Sequence, residues 1–253
     1  MLIKKKNGTL EKFSPEKILK RIKTAAKGLK VSAEDIALEV YSNMYDEISS
    51  TELDELAARL AANSSSIHPD YAKLGGKLLI SRLHKEVGTN NPALNYELDY
   101  NFNYFAVMNL MNSYLQKVEG KVIETPQDMY WRLANHLGKD TNEKWEFYTL
   151  FSNQKIAPAS PLLFNGGTSN SSMISCTLIH LQDDSLEGLH YTYKEASEYS
   201  KDGSGIGIYL GTLRSTKSRV ANRGYAAGIV KAVKTVEALM QQFNQNGSRA
   251  GSC

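Results

Sequence analysis

Hydrophobic positions along the first ninety residues fall into one short alternating stretch and then into helical spacings. Residues 2–13, LIKKKNGTLEKF, read as a hairpin of two short arms about Asn7-Gly8. Ser14-Pro15 opens a helix, Ser as N-cap and Pro at its first position, with Leu19, Ile22 and Ala26 as the apolar stripe. Ser32 with Asp35 and Ser49 with Glu52 are spaced as capping boxes. The second opens TELDELAARLAANSSS, where Leu53, Leu56 and Leu60 recur at helical spacing. A fourth helix follows His68-Pro69, with His68 as a structural cap. Residues 1–88 therefore read as one compact unit.

Residues 89–154 form a second region. Its first part, NNPALNYELDYNFNYF, is rich in Asn and Tyr and weakly periodic, a linker turning helical near Phe105. Residues 125–150 read as helical, capped by Thr125 with Pro126 in the first turn. From Lys155 the style changes. SMISCTLIHL and GIGIYLGTL read as strands, SLEGLHYTYKEASEYSKDG and AGIVKAVKTVEALMQQFNQ as helices. Strands alternating with helices need parallel crossovers, so residues 155–253 read as part of an α/β sheet or barrel. The turn NQNGSRAGSC should lead to a further strand, and an α/β unit stopping there leaves an unfinished core. A fragment or one piece of a split protein is expected. No fixed-period repeat is visible.

Composition adds bounds. Hydrophobic residues at 42% and charged residues at 23% fit a soluble globular protein. No run of 18 apolar residues is present and MLIKKKNGTLEKF lacks a signal-peptide core, so neither a membrane partner nor export is expected. Two cysteines, Cys176 and Cys253, are too few for a disulfide scaffold and suit a reducing cytoplasm. Charge is uneven. Residues 1–30 carry ten Lys/Arg against two Glu, and residues 206–253 seven against one, around an acidic middle. Two basic segments suggest two anion-binding places, for nucleotides or for nucleic acid. Few aromatics are interleaved with the basic residues, which speaks against a single-strand groove.

Cys176 lies between a Gly/Ser/Asn-rich loop and the apolar run TLIHL, where a reactive thiol would be presented. No neighbouring cation or CxxC partner lowers its pKa, and burial as a small hydrophobe competes with the reactive reading.

The order of motifs adds to this. IKKKNGTLEKFSPEKI, STELDELAA and HPDYAKLGGKLLISRLHKE resemble the ATP-cone regulatory domain. ETPQDMYWRLA, ASPLLFNGGT, SCTLIHLQDDSLEG, KDGSGIGIYLGTLRSTKS and NQNGSRAG resemble the large subunit of class I ribonucleotide reductase. The resemblance covers nearly the whole chain and is weakest over residues 89–123. It implies a mixed α/β fold: a hairpin-plus-four-helix ATP cone (1–88), a helical region (89–154) and the opening of a ten-stranded α/β barrel with effector-specificity loops (155–253).

The implied reaction replaces the 2′-hydroxyl of a ribonucleotide by hydrogen, through a cysteine thiyl radical, with a cysteine pair becoming a disulfide. Cys176 matches the first member of that pair; the second member and the radical cysteine lie beyond residue 253 in the family pattern. Ser160, Ser175 and Gly205 match substrate-binding positions; in Gly205 a missing side chain permits close backbone approach. Asp184 and Ser185 match residues holding an effector deoxynucleotide. Arg214 matches the grip on its phosphates, and guanidinium geometry suits phosphate oxygens. Gln245 and Arg249 fall in a second specificity loop. Asp183 reads as a solvated neighbour of Asp184. In the cone, Lys5, Lys6, Glu11 and Lys17 match positions around a nucleotide, with Ser50 and Lys85 beside them.

Implied partners are ATP or dATP and dNTP effectors, a ribonucleotide substrate, and a second large subunit. A separate metal-containing small subunit would supply the radical, and thioredoxin or glutaredoxin the electrons. A complementary C-terminal piece would complete the barrel. No residue set here is assigned to a metal and no nucleic-acid partner is expected. Two other readings stay open: a fragment of an adenosylcobalamin-dependent reductase, or a nucleotide-sensing module without catalysis. The end at Cys253 fits an artificial cut, a gene split or the first residue of an intein.

Overall fold

The computed structural model describes residues 1–170, 172–201, 204–222 and 224–242, with the backbone of Asn244–Gln245 and Arg249–Ala250. Two compact units divide the chain, Met1–Ile156 and Ala157–Cys253.

The first unit opens with the hairpin. Strands β1 (Leu2–Lys4) and β2 (Leu10–Lys12) pair antiparallel, Leu2 opposite Lys12. The loop is closed by the Lys5 amide on the Thr9 carbonyl at 2.8 Å, with Gly8 at φ 84°. That left-handed conformation explains glycine there. A third strand, β3 (Ile48–Ser49), runs parallel to β1 on its other edge. Its two residues carry no periodicity, so the pattern gave no sign of it.

Four helices follow: α1 (Pro15–Ala26), α2 (Ala33–Asn43), α3 (Ser50–Asn63) and α4 (Asp70–Val87). Their starts differ from the spacing rules in instructive ways. The Ser14 side chain makes no cap bond to α1. Ser32 Oγ accepts the Asp35 amide at 3.2 Å, while the Ser32 amide donates to the Tyr71 hydroxyl, 3.1 Å away. A tertiary bond thus takes the place of the second half of that box. Ser49 and Glu52 form the complete box, with bonds of 3.1 and 3.0 Å. His68, expected as the cap of α4, stands one residue before the N-cap, Pro69, and its Nδ1 accepts the Asp70 amide at 3.2 Å.

Helix α4 is the axis of this unit. Leu74, Leu78, Leu79, Ile80 and Leu83 on it are fully buried. Gly75 and Gly76 let the backbone approach its neighbours: a Cβ on Gly75 would sit 2.6 Å from the Ala58 carbonyl oxygen, and one on Gly76 would overlap the Phe102 carbonyl.

Beyond α4 come a 3-10 turn (Tyr96–Asn101), α5 (Tyr104–Asn109), a π-helical turn (Leu110–Tyr114) and a small hairpin, β4 (Lys117–Val118) and β5 (Lys121–Val122). The helical stretch expected over 125–150 is two helices, α6 (Pro126–Leu137) and α7 (Thr141–Ser152), separated at Gly138. A Cβ on Gly138 would lie 2.6 Å from Lys144 Cγ, so the turn is tight. Trp131 and Trp145, ring centroids 4.5 Å apart, join the two helices.

A buried polar network ties α4 to this region. His84 Nε2 lies 2.7 Å from Asp99 Oδ2, and Gln127 Nε2 donates to Asp99 Oδ1 at 2.9 Å. The Tyr148 hydroxyl donates to Gln127 Oε1 at 2.9 Å. Asp99 and Gln127 are fully buried, and burial raises the Asp99 pKa.

The second unit contains α8 (Ser160–Asn165), β6 (Cys176–His180), α9 (Leu186–Lys201), β7 (Gly205–Tyr209), α10 (Ile229–Met240) and the paired segments β8 (Asn244–Gln245) and β9 (Arg249–Ala250). Strands β6 and β7 are parallel and in register from Cys176↔Gly205 to His180↔Tyr209. Ile179 and Ile206 pack with Ala196 of α9 and with Val236 and Met240 of α10. The opposite face leaves Leu178 89% exposed. The strand begins at Cys176, later than its apolar pattern, because 172–175 are irregular. Helix α10 stops at Met240, short of the expected 245. Gly203, the expected end of α9, lies outside the described residues.

Candidate functional site

Of the six residues expected around a nucleotide in the first unit, five divide between two cavities. Lys5, at the end of β1, Glu11 on β2, Lys17 on α1 and Ser50 at the start of α3 line one of about 140 Å³. Pairing of β1 with β2 and β3 draws these four together from distant stretches. Lys5 Nζ is 2.9 Å from Glu11 Oε2, and Lys17 pairs with Glu11 Oε1. Hydrogen bonds from Lys17 and Lys5 hold the Glu11 carboxyl at a pKa of about 2. Lys6 is exposed in the hairpin loop and does not line this cavity.

Lys85 lines a separate cavity of about 550 Å³ between α1, α4 and the 3-10 turn. Around it are Arg21, Lys27, Lys77 and Tyr100, with Glu97 the one acid among the lining residues. Partial burial and the neighbouring Arg21 lower the Lys85 pKa. Arg21 lines both cavities and pairs with Asp54, which lines the smaller one. Arg21 and Asp54 were not named from sequence. An Arg on an amphipathic helix and an Asp four residues after Ser50 carry no local signal of meeting.

In the second unit the structure gathers Ser175, Cys176 and Gly205. The Gly205 amide donates to the Ser175 carbonyl at 2.8 Å. Cys176 is exposed, its sulfur 4.0 Å from Ser175 Oγ. A Cβ on Gly205 would stand 3.8 Å from that sulfur, so glycine keeps the space beside the thiol open. Below the pair, Thr177 Oγ1 and Ser204 Oγ lie 2.8 Å apart, with Ser204 buried. Ser160 begins α8; at the other end of that helix the Asn165 amide donates to the Ser172 carbonyl at 2.5 Å and fixes the loop leading to Cys176.

Arg214 and Asp184, expected at an effector, meet in the structure. Arg214 Nε is 2.5 Å from Asp184 Oδ2, and its NH2 donates to the Asp184 carbonyl at 3.1 Å. The expected ribose acceptor and phosphate grip thus hold each other. Ser185 Oγ accepts the Gly188 amide at 2.9 Å, capping α9. The Lys217 amide donates to the Ala226 carbonyl at 3.0 Å and the Ala226 amide to the Ser218 carbonyl at 2.8 Å, which ties these two stretches together. Gln245 and Arg249 face each other in the β8–β9 register, and their side chains lie outside the described residues, as does Cys253. Among the described residues no group of three His, Cys, Asp or Glu is placed to hold a metal ion.

Comparison with known families matches three consecutive segments of this chain. Residues 1–86 match the ATP cone domain, 100–171 the all-alpha domain of ribonucleotide reductase, and 174–253 its barrel domain. The ribonucleoside-diphosphate reductase large subunit of Vaccinia virus (strain Copenhagen) is 32% identical over 98% of this chain. The large chain of Schizosaccharomyces pombe and the large subunit of Danio rerio are also each 32% identical over 98% of it. The chain belongs to the ribonucleotide reductase large-subunit family. It spans 38%, 36% and 37% of the length of those three relatives. Within this chain the β6–β7 pair is the start of the matched barrel segment, and the two cavities of the first unit fall inside the ATP cone match. No described helix is long and apolar enough to cross a membrane.

Proposed function

We propose that this chain forms the nucleotide-sensing cone (1–88), the helical region (89–154) and the first part of the catalytic barrel (155–253) of a ribonucleoside-diphosphate reductase. The observation that carries the reading is the exposed Cys176 at the start of β6, beside a glycine in register on β7, inside the segment matching the reductase barrel. In the proposed reaction Cys176 gives hydrogen to the ribose and closes on a second thiol outside this chain, as the 2′-hydroxyl leaves as water. The electrons of the cysteine pair pass to substrate, and the disulfide is re-reduced by thioredoxin or glutaredoxin. Ser160, Ser175 and Gly205 hold substrate.

Asp184, Ser185 and Arg214, with Gln245 and Arg249, hold a dNTP effector. The Asp184–Arg214 pair must open to free both groups for ribose and phosphate. Lys5, Lys6, Glu11, Lys17, Ser50 and Lys85 take ATP or dATP in the cone. A second large subunit, a small subunit supplying the radical, and a complementary barrel piece complete the enzyme, in the cytoplasm.

The test mixes this chain with the remaining barrel of a relative and its small subunit and follows reduction of a ribonucleoside diphosphate. Turnover is expected in the mixture, not in the chain alone, and is lost in Cys176→Ser. Turnover by the chain alone overturns the reading. A nucleotide sensor without catalysis is the second reading. It is favoured by the two cationic cone cavities, and tight dATP binding without any rescue of turnover would select it.

A further inference from the structure

Helix α1 is held differently from its neighbours. Of its twelve residues only Ile22 is buried, whereas α4 buries ten of eighteen. Cavities flank its packed face: one of about 550 Å³ is lined by residues of α1 and α4, one of about 140 Å³ by residues of α1, the hairpin and α3, and a shallow groove of about 780 Å³ by residues of α1 and the start of α2, while α1 still packs directly on α2 and α4.

What fastens α1 is mostly polar and near the surface: Lys17 to Glu11, Lys23 to Glu34 at 2.7 Å, and the Tyr41 hydroxyl to the Pro15 carbonyl at 2.7 Å. Exposed ion pairs of this kind hold an element only weakly. Its ends are held by backbone turns and, past the C-terminus, by the Lys30 amide on Asp70 Oδ2 at 3.0 Å. Ser14 gives no side-chain cap, and just past the C-terminus Gly28 adopts φ 80°.

Arg21 is the exception on this helix. One guanidinium nitrogen pairs with Asp54, while Nε and NH2 are buried with no hydrogen-bond partner among the described residues. Buried donors without acceptors are costly, so this arrangement favours any movement that brings acceptors to them. The facing wall cannot come to meet them. Helix α4 is fixed by Gly75 and Gly76 against Ala58 and Phe102 and by the His84–Asp99–Gln127 bonds.

We propose that α1 is a lid which swings about Ser14 and Gly28 onto the fixed α3–α4 platform when a nucleotide triphosphate enters the cone, with Arg21 as the residue that draws it shut. The phosphates satisfy the two free guanidinium nitrogens, and Lys85 and Lys77 meet the same charge from the platform side. The inference rests on the nucleotide-binding reading of the cone.

Spin labels at Lys20→Cys on α1 and Lys73→Cys on α4, in the 253-residue chain carrying Cys176→Ser and Cys253→Ser, measure the closure. Labels at Arg59→Cys on α3 and Lys73→Cys serve as the fixed pair. ATP, dATP and inorganic triphosphate are titrated by calorimetry in the same samples. Saturating ATP or dATP is expected to shorten the Lys20–Lys73 distance and leave the Arg59–Lys73 distance unchanged. Shortening by inorganic triphosphate also supports the lid and assigns closure to the phosphates alone. Arg21→Gln is expected to weaken binding about tenfold or more and to abolish shortening at saturation. Binding heat with an unchanged Lys20–Lys73 distance overturns the lid alone, as does full closure in Arg21→Gln. Absence of binding heat overturns the nucleotide reading and the lid with it.

Discussion

Glu11 faces two ammonium groups at once. With Lys17 and Lys5 both on its carboxylate, its pKa falls from 4.5 to about 2. A depressed carboxyl pKa contributes stability that is complete above the unfolded value, near 4.5, and disappears as the pH falls through about 2. The exposed site keeps that contribution small. The titration itself is the sharper observable. Carboxyl-carbon NMR should place the Glu11 midpoint near 2, moving toward 4.5 in a Lys5→Met, Lys17→Met double variant. A midpoint near 4.5 in the unaltered chain would show that the lysines do not hold it. The resemblance to the ATP cone named all three residues but not their arrangement. Glu11 and Lys17 are six apart across a strand end and a helix start, and only folding decides that they meet. Arg21 and Asp54, thirty-three positions apart, gave no local sign at all.

Among the elements, those set by neighbouring residues were legible and those set by distant ones were not. The hairpin, the Ser49–Glu52 box and the starts of α4 and α6 follow from local chemistry. Strand β3 exists only because β1 offers it an edge, and the break at Gly138 follows from packing against Lys144. Helix α4 shows the distinction most clearly. Gly75 and Gly76 lower the helix propensity of this stretch, yet they are where other backbone must approach.

Gly76→Ala places a methyl group into the Phe102 carbonyl and within 2.8 Å of Asn103 Cα. Such overpacking against backbone costs on the order of 3 kcal/mol, opposed by about 1 kcal/mol of helix propensity. A net loss of about 2 kcal/mol is expected in urea denaturation. Gly8→Ala meets no atom within 4 Å, and its expected cost, about 1 kcal/mol, comes from the left-handed backbone alone. Equal effects of the two changes would mean that α4 is not seated against 102–103.

At the scale of the whole molecule, the two sheet faces of the second unit differ in what they ask of their surroundings. Parallel strands are ordinarily covered on both sides. In β6–β7 one face is packed by α9 and α10, while the other carries Leu178 at 89% exposure and Tyr209 at 65%. The thiol of Cys176 stands on that same strand, two residues before Leu178. If the rest of a reductase barrel closes over this face, Leu178 becomes buried beside the Cys176 thiol.

Leu178→Glu separates the two situations. In this chain by itself the change is at the surface, and the urea midpoint should move by no more than about 0.5 kcal/mol in stability. In the mixture with a complementary barrel the carboxylate would have to be desolvated without a partner, a cost of several kcal/mol. Assembly and ribonucleotide reduction should then fall together, while ATP binding in the cone stays unchanged in calorimetry. Normal assembly by Leu178→Glu would show that this face stays open to water, and that the chain does not open a barrel of the proposed kind.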